Sequence, residues 1–86
     1  MLHRGEKVLE RILEDAEEEI LIADGFDDAV MGLEHDSNRL IYSVSICVEI
    51  LMDEEEMNEE DALDYFMYNV CGSYVGDLTP IWCWDI

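Results

Sequence analysis

Carboxylates are the side chains in this sequence that could do chemistry, and they fall into three groups: residues 14–19, Asp24 with Asp27 and Asp28, and residues 53–64. Grouped carboxylates serve acid–base catalysis, hard-cation binding, or the display of negative charge to a basic partner. Catalysis has little to start from. A nucleophile needs a positioned base, the only histidines are His3 and His35, and carboxylates this abundant single out no pair. No glycine-rich phosphate loop is present, so no catalytic residue is assigned and the chain is read as a non-enzyme. A calcium loop wraps six or more oxygens about one ion. Residues 53–64 lack its central glycine, and Asp24-Gly25-Phe26-Asp27-Asp28 lacks its downstream glutamate. Cys47, Cys71 and Cys83 form no Cys-x-x-Cys pair and sit among apolar neighbours, so they read as small hydrophobes in a reducing compartment. No metal and no cofactor is expected.

Charge display remains. The chain has a formal net charge of −19, and from Ile12 onward Arg39 is the only lysine or arginine. Such a field repels nucleic acid and anionic membrane and steers basic proteins toward itself. The expected partner is therefore a basic protein, with no direct nucleic-acid or membrane binding. Duplex DNA carries one negative charge per about 1.7 Å of axis, so about 20 carboxylates match roughly ten base pairs. A rigid domain of this size can imitate a short duplex. The candidate contacts are Glu14, Glu17, Glu18, Glu54, Glu55, Glu56, Glu60, Asp61 and Asp64. A charge run on a helix is ordinarily its solvated face, and acids at 59–61 also suit a helix N-terminus. Glu54, Glu55, Glu56 and Asp64 therefore weigh most. Tyr68 joins them, because a helical wheel sets it outside beside Asp64, where an exposed aromatic can anchor an interface.

These side chains need a scaffold, and the apolar pattern supplies one domain over 1–86. Leu9, Ile12, Leu13, Ala16 and Ile20 predict an amphipathic helix over 6–22, stopped by Asp24-Gly25. Residues 29–45 read as a hairpin, with Leu40, Tyr42 and Val44 alternating inward. Ser45 is the expected cap of a helix running to about Asp53, and Asn58 of a helix closed by Gly72 with Ala62, Leu63, Phe66 and Val70 facing inward. The tail, 79–84, reads as a strand beside the hairpin, with one face of Trp82 and Trp84 covered by a helix. The fold class is α+β, three helices packed on a small antiparallel sheet made of the hairpin plus the C-terminal strand. No targeting signal and no membrane span is expected.

The segments ADGFDDAVMG at 23–32, RLIYSVSICVEILM at 39–52 and EEDALDYFMYNVCGSYVGDLTPIWCWDI at 59–86 resemble a family of small proteins of tailed bacteriophages, including phages of cyanobacteria, to which no activity is assigned. The resemblance implies expression in the cytoplasm of an infected bacterium, where the protein would bind and inhibit or redirect a basic host protein. A nuclease, a defence complex or RNA polymerase are the target classes. The alternative is an accessory or structural module that docks, or self-associates as a homodimer, through its aromatic C-terminal third.

Overall fold

A computed structural model describes residues 5–86. Helix α1 (Gly5–Asp15) leads through an extended segment and a 3-10 turn (Asp27–Ala29) into strands β1 (Val30–Leu33) and β2 (Leu40–Ser43). Helices α2 (Val44–Glu54) and α3 (Glu59–Phe66) follow, α3 continuing into a π-helical turn (Met67–Cys71), and β3 (Ile81–Cys83) ends the order. The class is α+β, with three helices and a small three-stranded sheet.

The hairpin forms in the order β1-β2-β3, with Val30 opposite Tyr42 and Leu33 opposite Leu40. A bulge between Val30 and Gly32 turns Met31 out to solvent. The connecting turn is tied by the Glu34 carboxylate, which accepts from the amides of Asp36 and Ser37 at 2.9 and 3.0 Å. The third strand differs from the expected antiparallel arrangement: β3 runs parallel to β2, placing Trp82 beside Tyr42, so the sheet is mixed. The reason is topological. Residues 44–80, which hold α2, α3 and the π-helical turn, separate β2 from β3, and a connection of that length permits the crossover that parallel pairing requires, whereas a tight turn allows only antiparallel pairing.

Two helix boundaries also differ from the sequence pattern. Helix α1 stops at Asp15, leaving Leu13 and Ala16 exposed and Ile20 outside any helix. Its last turn runs into five acids within 14–19 and contains no base, and negative charge is unfavourable where the helix dipole is negative. The strand ends two residues earlier than expected, and Ser43, not Ser45, caps α2, its hydroxyl accepting from the Ile46 amide at 3.1 Å. Asn58 caps α3 through the Asp61 amide at 2.8 Å.

The core joins both layers through Leu9, Phe26, Val30, Leu40, Tyr42, Val44, Cys47, Leu51 and Phe66. Four rings run through it in series: Phe26 on Phe66 at 6.4 Å, Phe66 on Trp82 at 5.2 Å, and Trp82 on Tyr42 at 5.2 Å. Edge-on and tilted packing of this kind contributes about 0.5–1.5 kcal/mol per pair beyond area burial. Trp82 is thus covered, whereas Trp84, past the end of β3, stays largely exposed.

Candidate functional site

Helix α2, the link after it and α3 carry nine carboxylates and no lysine, arginine or histidine over residues 44–66. Glu54, Glu55, Glu56, Glu60, Asp61 and Asp64 are all exposed, and Tyr68 is 84% exposed one turn beyond Asp64. The two helices pack on each other, so these exposed groups lie on one packed helix pair. The link between them holds Glu56 at φ 53°, in the left-handed region.

This side gains carboxylates from distant sequence. A cavity of about 310 Å³ is bordered by Asp53 and Glu54 of the α2 end, Glu49 one turn earlier, Asp27 and Asp28 of the 3-10 turn, and Glu6 of α1. The contact that gathers them is backbone to backbone. A Cβ on Gly5 would lie 2.1 Å from the Asp28 carbonyl oxygen, so only glycine lets the start of α1 rest against that turn. Nothing in the sequence pattern marks Gly5 for this role, and that is why Glu6 and Glu49 escape a reading based on runs of charge.

Glu14, Glu17 and Glu18 do not join this face. Glu17 and Glu18 border a different cavity with Arg11, Asp15 and Asn38 at the other end of α1. Nine residues of helix separate Glu6 from Asp15, an axial rise of about 14 Å. Charge there is partly offset: Arg11 pairs with Asp15 at 3.5 Å, both exposed, and Glu18 accepts from the Asn38 amide at 3.3 Å. Among the described residues Arg39 forms no ion pair with a carboxylate. Its Nε donates to the Thr79 carbonyl at 2.6 Å, where it braces the loop before β3.

One acid has a structural job. Asp85 accepts from the Ser43 hydroxyl at 2.6 Å, the Ser45 amide at 2.8 Å and the Ser45 hydroxyl at 3.1 Å, and so fastens the chain after β3 to the start of α2. Burial works against its charged form, but these donors outweigh it, and the carboxyl titrates below its ordinary value. Nearby, burial pushes the Cys47 thiol up to about 12, with the negative field of Asp85 adding to it, so this cysteine is a packing group without nucleophilic character. All three cysteines are free.

Among the described residues no group of three or more His, Cys, Asp or Glu side chains is arranged to hold a metal ion, and no helix is long and apolar enough to cross a membrane. His3 lies outside the described residues. The second surface feature is apolar. The segment before the 3-10 turn, the π-helical turn and β3 enclose a groove of about 330 Å³, beside which Tyr74 and Val75 are exposed. Trp82 lines it, and its indole N–H is buried with no hydrogen-bond partner among the described residues, a state that costs about 1–3 kcal/mol.

Comparison with protein-family models, with curated proteins and with solved structures finds no match.

Proposed function

We propose that this protein is an acidic binding protein that occupies the cationic nucleic-acid channel of a basic protein, and thereby inhibits or redirects it. The observation that carries the reading is the acidic cavity where Asp53 and Glu54 of α2 meet Asp27, Asp28 and Glu6, next to a stretch, residues 44–66, that holds no lysine, arginine or histidine. Its charge density has the right size. The molecule is 39 Å long and carries 19 net negative charges, or about 2 Å of long axis per charge, against about 1.7 Å for duplex DNA. A rigid scaffold makes this array usable, because a fixed set of anions meets a lysine- and arginine-lined channel without the ordering cost that a disordered acidic tail would carry. On the phage resemblance, the partner would be a nuclease, a defence complex or RNA polymerase in the cytoplasm of an infected bacterium.

The test is the triple variant E54Q/E55Q/E56Q, which removes three exposed charges and no packing. Displacement of a fluorescent duplex from a panel of purified bacterial DNA-binding proteins should weaken about tenfold or more for the protein that the wild type competes on, while the fold persists. Unchanged displacement would remove these residues from the site.

A second reading is favoured by the exposure of Tyr68, Tyr74, Val75, Trp84 and Ile86, all in the C-terminal third. In that reading the chain is an accessory docking or self-associating module and its charge keeps it soluble. Binding that ignores salt and is lost in Tyr68→Ala would select it.

A further inference from the structure

The groove beside the π-helical turn is lined by Ile22, Phe26, Val70, Val75, Pro80 and Trp82 and adjoins the acidic cavity. The two meet at one turn of chain: Gly25 borders the acidic cavity, while Asp24 and Phe26 on either side of it border the groove. The polar groups at the groove are Asp24, Asn69 and Ser73, besides the Trp82 indole N–H, which is buried. Ser73 spends its proton on the Asn69 carbonyl at 3.3 Å, and Asn69 donates its side-chain amide to the Tyr65 carbonyl at 3.1 Å. What remains for an incoming group is chiefly acceptor capacity: the Asp24 carboxylate, the Asn69 Oδ1 and the Ser73 lone pairs. No lysine or arginine lines the groove.

We propose that this groove receives one large aliphatic side chain from a segment of the basic partner, with the lysine or arginine next to it in that segment held by Asp24. The inference rests on the basic-partner reading and adds an anchor to it. An apolar floor with an acceptor rim selects a cationic, amphipathic occupant, and the net charge of −19 disfavours a fatty acid or an anionic lipid. At about 330 Å³ the space lies at the lower end of ligand cavities and admits a large aliphatic side chain. Each part of the surface then has a distinct effect: carboxylates steer and orient the partner, and the buried aliphatic group slows its departure.

The test compares two acetylated peptides, Arg-Arg-Leu-Arg-Arg and Arg-Arg-Gly-Arg-Arg, titrated into the full chain at about 0.15 M salt and followed by the Trp82 indole resonance. The leucine peptide should bind about tenfold more tightly and move that resonance, and the glycine peptide should move only signals of the acidic face. Val75→Asp alters an exposed wall of the groove and should abolish the preference; Asp24→Asn should weaken the leucine peptide more than the glycine one. Equal binding of the two peptides, or a preference that survives Val75→Asp, overturns the groove assignment and leaves the acidic face standing. A groove that takes n-hexylammonium as tightly as the leucine peptide is a small-cation site, which overturns the protein-segment assignment. Failure of both peptides to bind at low salt overturns the basic-partner reading as well.

Discussion

Glu56 occupies a left-handed backbone conformation, φ 53°, that costs a residue with a side chain about 1–2 kcal/mol, in a link where glycine would carry no such cost. Strain retained at an exposed acid in an acid-rich link adds nothing to packing and is consistent with the proposed binding role. Glu56→Gly should therefore raise stability by about 1 kcal/mol, read as a Tm increase of roughly 4–8 °C, while weakening partner capture. A variant no more stable than the wild type in urea or thermal unfolding would remove the strain from the account. Residues differ in how far the sequence reveals them. The exposure of Tyr68 follows from the helical wheel, because position on a helix face is a local property. The strain at Glu56 and the close approach of Gly5 to Asp28 depend on where neighbouring elements lie, and no residue pattern encodes them.

At the scale of elements, caps and inward faces were legible wherever the deciding interaction is short-range: Asn58 caps α3, and Ala62 and Phe66 are buried on its inner face. The hairpin was legible from alternation. The end of α1, the cap of α2 and the direction of β3 were not. Ser43 and Ser45 are both chemically able to cap, and the choice is made by Asp85, forty residues away, which takes the Ser45 amide. The same contact predicts a pH dependence. Because the folded-state carboxyl of Asp85 is held below its ordinary value, its stabilisation is present at neutral pH and is lost as pH falls through that depressed value. Asp85→Asn should cost about 1 kcal/mol at pH 7, a figure kept low by solvent screening of an exposed carboxylate, with the deficit vanishing toward pH 2. Urea unfolding of both proteins across pH 2–7 reads this directly; a deficit constant over that range would show that the carboxylate's charge plays no part.

At the scale of the molecule, the chain is flattened, 39 × 28 × 19 Å, and polarised. Lys7 and Arg11 lie on α1, beside β1, whereas residues 44–66 hold nine carboxylates and no lysine or arginine. Net charge was legible from composition, but its division was not: the fold gathers Asp27 and Asp28 with Asp53 and Glu54, and sets Glu17 and Glu18 apart beside Arg11. The proposed interface is accordingly centred on α2 and α3, and in that proposal Glu14, Glu17 and Glu18 contribute to the long-range field. The most direct measurement is the salt dependence of duplex displacement from bacterial DNA-binding proteins by the wild-type chain. Competition should fall by about a thousandfold or more between roughly 50 and 200 mM salt, as for a duplex making six or more phosphate contacts. Absence of displacement from every protein of the panel at the lower salt, or displacement indifferent to salt, would contradict the account.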